Sequence, residues 1–62
     1  MHIEFSMYLT AWGYLYRVTD IWRSIEPSES SMVQLENVET NKFAWIQFGV
    51  VMEHFEEVNH AS

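Results

Sequence analysis

The sequence predicts a mainly β fold of the α+β kind, an antiparallel barrel or curled sheet followed by a short C-terminal helix. Three patterns predict it: strict alternation at the N-terminus, a self-consistent hairpin in the second half, and a change to helical period after Gly49. From His2 to Leu9, Ile3, Phe5, Met7 and Leu9 alternate with His2, Glu4, Ser6 and Tyr8, the period of a half-buried strand. Thr10-Ala11-Trp12-Gly13 reads as a turn, because Gly13 is free to take positive φ. Tyr14 to Trp22 is rich in aromatic and β-branched residues, with Tyr14, Tyr16 and Val18 on one face. Ile21 breaks that parity and places a bulge or strand end near Thr19-Asp20.

Glu26-Pro27-Ser28-Glu29-Ser30-Ser31 is the one break in composition and reads as an exposed loop over 26–31. Met32 to Phe48 then folds into a hairpin around Thr40-Asn41, Asn being tolerant of the left-handed region. In that register Glu39 opposes Lys42, Val38 opposes Phe43, Glu36 opposes Trp45, Leu35 opposes Ile46 and Val33 opposes Phe48. Val33, Leu35, Ala44, Ile46 and Phe48 gather on one face, and Gln34, Glu36, Val38, Phe43, Trp45 and Gln47 on the other. A slip of one residue would turn Glu36 into the core. Beyond Gly49, Val51, Phe55 and Val58 stand at helical spacing from Phe48, while Glu53, Glu56 and Glu57 point elsewhere.

The alternative is an all-α helical hairpin, since Ile3, Met7, Ala11, Leu15, Val18, Trp22 and Ile25 also approximate a 3.6 period. Gly13, the β-branched residues and rings on every side of the projected helix weigh against it.

Size and composition bound the rest. A chain of 62 residues has room for a single domain, 1–62, with a small core. Cysteine is absent, so there is no disulfide framework, thiolate metal site or cysteine nucleophile, and a cytoplasmic location is expected. The longest apolar run, Phe43 to Met52, is about half the length of a membrane helix and contains Gln47 and Gly49. The N-terminus lacks the basic segment of a secretory signal. Aromatic residues make 16% of the chain, more ring surface than so small a core can hide, so part of it is expected at a partner surface. The formal net charge of −6 disfavours a nucleic-acid-binding barrel and suits a partner with a basic surface. Acid is concentrated in the second half, where Glu36, Glu39, Glu53, Glu56 and Glu57 face only Lys42.

No residue set carries recognisable chemistry. His2, His54 and His60 with Glu53, Glu56 and Glu57 could be imagined as a metal site, with Glu57 at i+3 from His54 and His60 at i+4 from Glu56. A single helix face does not supply the about four converging ligands a structural site needs, and a solvated face explains them better. Glu56-Glu57 lacks the cleft that acid–base carboxylates require. The serines cluster at the loop, and no nucleophile motif or phosphate-binding glycine loop occurs. No enzyme activity, cofactor or metal is therefore expected.

With the strands in place, Tyr16-x-Val18-x-x-Ile21, Val33-x-Leu35-x-Asn37-x-x-Thr40, Trp45-Ile46 and Val51-x-x-x-Phe55-x-x-Val58 resemble the small SH3-like barrel proteins of bacteriophages and prophages over about residues 14–58. The link between the strands ending near Ile21 and beginning near Val33 is longer here than the family's short polar turn. The resemblance implies a phage-type accessory protein, in a class whose small acidic members bind and block host proteins, and it carries over no catalytic residue.

The expected function is a non-enzymatic acidic binding protein, a phage-encoded inhibitor that docks on a basic host surface like a DNA mimic. Its expected docking residues are Trp22, Glu36, Glu39, Phe43, Trp45, Glu53, Glu56 and Glu57. The alternative is a structural or assembly subunit that self-associates, as a homodimer, through its aromatic face.

Overall fold

The computed structural model describes residues 1–26 and 29–58. They form one open antiparallel sheet of five strands and one short helix, in chain order β1 (Tyr8–Ala11), β2 (Tyr14–Trp22), β3 (Met32–Asn37), β4 (Phe43–Gln47), α1 (Phe48–His54) and β5 (Glu56–Glu57). Spatially the strands run β4-β3-β2-β1-β5. β4 and β5 are therefore the two edges, and the sheet is open rather than closed into the expected barrel.

Trp12 and Gly13, with φ of 52° and 78°, form the two-residue turn between β1 and β2, across which Ala11 pairs with Tyr14. Both central residues in the left-handed region is the signature of a type I′ turn, whose twist matches that of the flanking strands. Along β2 the register shifts between Val18 and Asp20, so the bulge lies where the parity break places it. Val18 and Ile21 can thus both face the core although they are three residues apart.

That core occupies one face of the sheet. Leu9, Val18, Val33, Leu35 and Val51 are fully enclosed, joined by Ile3, Ala11 and Phe55 and flanked by Met7, Tyr16, Ile21, Ile46 and Phe48. The helix packs against β3 and β4 and contributes Val51.

Three expectations are corrected. The alternating segment His2–Leu9 is not one strand: pairing starts at Tyr8, and the chain turns at Ser6, whose φ is 69°. There the Val18 carbonyl accepts from Ser6 N–H at 2.8 Å while Val18 N–H donates to the Met7 carbonyl at 2.9 Å, and Phe5 is left exposed. The second hairpin pairs Met32 with Gln47, Val33 with Ile46, Gln34 with Trp45, Leu35 with Ala44 and Glu36 with Phe43, a slip of two residues from the expected register. The cause is a longer loop organised by Asn37. Its side-chain oxygen accepts from the Glu39 and Thr40 N–H groups at 2.9 and 3.2 Å, its carbonyl accepts from Asn41 N–H at 2.8 Å, and Asn41 takes a φ of 60°. A two-residue slip preserves parity, so each face keeps its residues.

The third correction is at the C-terminus, where α1 ends at His54. Phe55 leaves the helix in extended conformation, and Glu56 and Glu57 pair with Thr10 and Leu9. Val58 N–H then donates to the Tyr8 carbonyl at 3.0 Å. A seven-residue helix has little stability of its own, whereas pairing satisfies the backbone groups on the outer side of β1. Of the 26–31 loop, Glu26, Glu29 and Ser30 are exposed, and Pro27 and Ser28 lie outside the described residues.

Candidate protein-binding face

Opposite the core, the other sheet face carries Tyr8 and Thr10 from β1, Leu15, Arg17 and Trp22 from β2, Met32, Gln34 and Glu36 from β3, and Phe43, Trp45 and Gln47 from β4. Cross-strand partners share a face, which fixes this set through the pairs Tyr8–Arg17, Thr10–Leu15, Arg17–Glu36, Trp22–Met32, Glu36–Phe43, Gln34–Trp45 and Met32–Gln47. Its centre is polar. The Arg17 guanidinium lies 3.5 Å from a Glu36 carboxylate oxygen, and the Thr19 hydroxyl donates to the Gln34 side-chain oxygen at 3.0 Å.

At the end of this face where β2 leaves and β3 enters, Trp22, Met32 and Trp45 line an open recess of about 250 Å³. Trp22 is 45% exposed, Trp45 46%, and Phe43, further along the same strand as Trp45, 55%. Three rings half in water on one sheet face form a contiguous apolar patch, the usual mark of a docking surface. Met32 belongs to this recess and was not among the expected docking residues. Its parity with Gln34 and Glu36 was the available signal.

The expected acids do not assemble around these rings. Glu36 shares the face but is engaged by Arg17 and is mostly covered, with 19% of its side chain exposed. Glu39 sits exposed in the β3–β4 loop. Glu53 is near the end of α1, and Glu56 and Glu57 form β5, the edge opposite Phe43 and Trp45. Asp20, exposed and paired with Gln34, is the acid that joins Glu36 on this face.

A second ring cluster escaped the sequence reading altogether. Trp12, carried on the β1–β2 turn, stacks on His54 with centroids 5.8 Å apart and meets Phe55 edge-on at 5.3 Å, and Phe55 meets Tyr16 edge-on at 5.2 Å. These contacts pin the junction of α1 and β5 to the first hairpin. The helix ends at His54, so the expected helical spacing of Glu57 from His54 is not formed, and His60 lies outside the described residues. Glu53 is 3.9 Å from His54, and among the described residues no group of three or more His, Asp or Glu converges as metal ligands. No described helix is long and apolar enough to cross a membrane.

Comparison with known proteins finds no matching family model, no matching curated protein and no matching solved structure.

Proposed function

We propose that the chain is a non-enzymatic protein-binding module whose docking surface is the outer sheet face around Trp22, Met32, Trp45 and Phe43. The supporting observation is the open recess lined by Trp22, Met32 and Trp45, whose two indoles are left about half in water. The partner is a protein with a basic surface. An arginine or lysine entering the recess would lay its aliphatic stem on Met32 and its cation against an indole face. Asp20, exposed on the same face, within a molecule of net charge −6, would draw that surface in and orient it. In this reading the protein acts in the host cytoplasm as a phage-type inhibitor that covers a functional surface of its target. Glu53, Glu56 and Glu57 contribute long-range attraction rather than contact.

The test is affinity capture from a bacterial lysate with the wild-type chain, Trp22→Ala, and a variant with Glu53, Glu56 and Glu57 changed to lysine. The expected result is a partner whose recovery falls steeply with salt, is lost with Trp22→Ala although that variant stays folded, and is only weakened by the lysine variant. Capture indifferent to Trp22→Ala would refute the docking face.

A further inference from the structure

We infer that the free edge of β4 pairs with β4 of a second copy of this chain, antiparallel about a two-fold axis, to extend the sheet across a homodimer. The inference starts from which backbone groups the edge leaves open. In an antiparallel ladder, successive residues of a strand direct their N–H and C=O alternately toward one neighbour and away from it. Asn37 N–H donates to the Lys42 carbonyl at 2.8 Å and Phe48 N–H donates to the Ser31 carbonyl at 3.0 Å. With the register of β3 and β4, Lys42, Ala44, Ile46 and Phe48 therefore point their backbone groups at β3, while Phe43, Trp45 and Gln47 point theirs outward. Gln47 is the N-cap of α1, so its carbonyl is taken by the first helical hydrogen bond and only its N–H remains.

Outward groups must meet outward groups, and a symmetric pairing engages the most of them with its axis at Ala44 or at Trp45. The first sets Phe43 against the second copy's Trp45. The second sets Trp45 against its own counterpart and Phe43 against Gln47. Either gives about four hydrogen bonds between chains, and both use the Trp45 N–H and C=O. Outer-face rings then lie beside outer-face rings, and Ala44 and Ile46 extend the apolar inner face.

Charge selects both the edge and the direction. β4 reads Phe-Ala-Trp-Ile-Gln, with no charge and no proline, and nearly all of it is exposed. Within the strand it carries neither the charge nor the proline by which edge strands commonly avoid self-pairing. The opposite edge, β5, is two residues long and both are glutamate, so self-pairing there would set carboxylate beside carboxylate. Lys42 stands at the start of β4, whereas the other end adjoins the loop that carries exposed Glu26 and Glu29, through the Phe48–Ser31 hydrogen bond. Antiparallel pairing brings Lys42 of each copy, with Glu39 of the same β3–β4 loop, toward the other's Glu26 and Glu29, whereas parallel pairing would set lysine toward lysine and Glu39 toward Glu39. The exposed parts of Phe43 and Trp45 amount to roughly 200 Å² per copy against about 800 Å² for a standard interface, so the dimer is reversible, with Kd between about 1 μM and 1 mM.

Two copies of net charge −6 repel one another at long range, so added salt should tighten the dimer. Capture of a basic partner should weaken with salt, so this inference can fail without the proposed function and the converse. The experiment is sedimentation of the purified chain from about 1 μM to 1 mM at low and high salt, with amide hydrogen exchange at the two ends of the range. The expected result is a monomer–dimer equilibrium that strengthens with salt. Ala44 and Ile46 N–H are protected throughout, and Trp45 N–H becomes protected only at high concentration. Trp45→Lys, which leaves the backbone intact and sets like charges across the axis, should weaken dimerisation at least 10-fold, and Trp45→Pro, which removes an outward N–H, should abolish it. A chain monomeric throughout the range, a Trp45 amide that exchanges freely in the dimer, or a Trp45→Lys variant that dimerises as well as wild type would overturn the inference. If Trp45→Pro does not fold, the wild-type amide pattern and the lysine variant decide.

Discussion

The two faces of this sheet are built from different apolar residues, and the difference separates what holds the fold together from what the fold offers to others. The inner face is aliphatic: Leu9, Val18, Val33 and Leu35 are enclosed by Val51 of the helix and by Ile3 and Phe55. The outer face is aromatic, with Trp22, Phe43 and Trp45 half in solvent. Branched aliphatics pack efficiently in a thin core with one helix behind it. Large flat rings that cannot all fit inside remain useful outside, where they carry much of the binding energy of protein interfaces. A chain this short cannot hide every ring it carries, and strand alternation sets Trp22, Phe43 and Trp45 outside.

Substitutions should divide along the same line. The largest effect is expected on the inner face: Leu35→Ala should cost about 2–5 kcal/mol, comparable to the whole stability of so small a domain, and leave a chain largely unfolded in urea titrations at 25 °C. Gly13→Ala comes next, at about 1 kcal/mol. Nothing lies within 4 Å of the added methyl, so the cost is the positive φ of 78° alone, read as a lower urea midpoint at unchanged slope. On the outer face Trp22→Ser should cost about 1 kcal/mol or less while removing partner capture, and stability lost on the scale of Leu35→Ala would collapse the distinction between the faces. The smallest effect belongs to Glu36→Gln. Its pair with Arg17 is 3.5 Å long with the guanidinium partly in water, so the change in stability should stay below about 1 kcal/mol in the same titration.

How much of this the sequence displays depends on how local each cause is. A turn at Gly13, though expected to begin at Thr10 where β1 in fact runs on to Ala11, the bulge near Thr19 and the assignment of Val33 and Leu35 to one face and Gln34, Glu36 and Trp45 to the other are written in the spacing of neighbouring residues. The second hairpin's register is not, because alternation is unchanged by a shift of two, and the Asn37 side chain that sets the loop acts through hydrogen bonds no periodicity encodes. The C-terminus misleads for a related reason. Val51 and Phe55 keep helical spacing, but the chain leaves the helix between them because β1, some forty-five residues earlier, offers an unpaired edge to Glu56 and Glu57. The rings of the outer face were legible as exposed residues on their strands. The dispersal of the acids, with Glu56 and Glu57 across the sheet from Phe43, follows from strand order, which is a property of the whole chain.

The claim beneath all of this is that the aromatic residues of the outer face are open to water in the folded monomer. Acrylamide quenching of tryptophan fluorescence at a dilution where only single chains are present tests it directly, since Trp12, Trp22 and Trp45 are the only emitters of their kind and all are exposed. The expected result is that all three tryptophans are quenched in the native state, with a protected fraction from Trp45 arising only as concentration is raised. A protected population in the dilute native protein would place a tryptophan inside the core and contradict the division between the two faces.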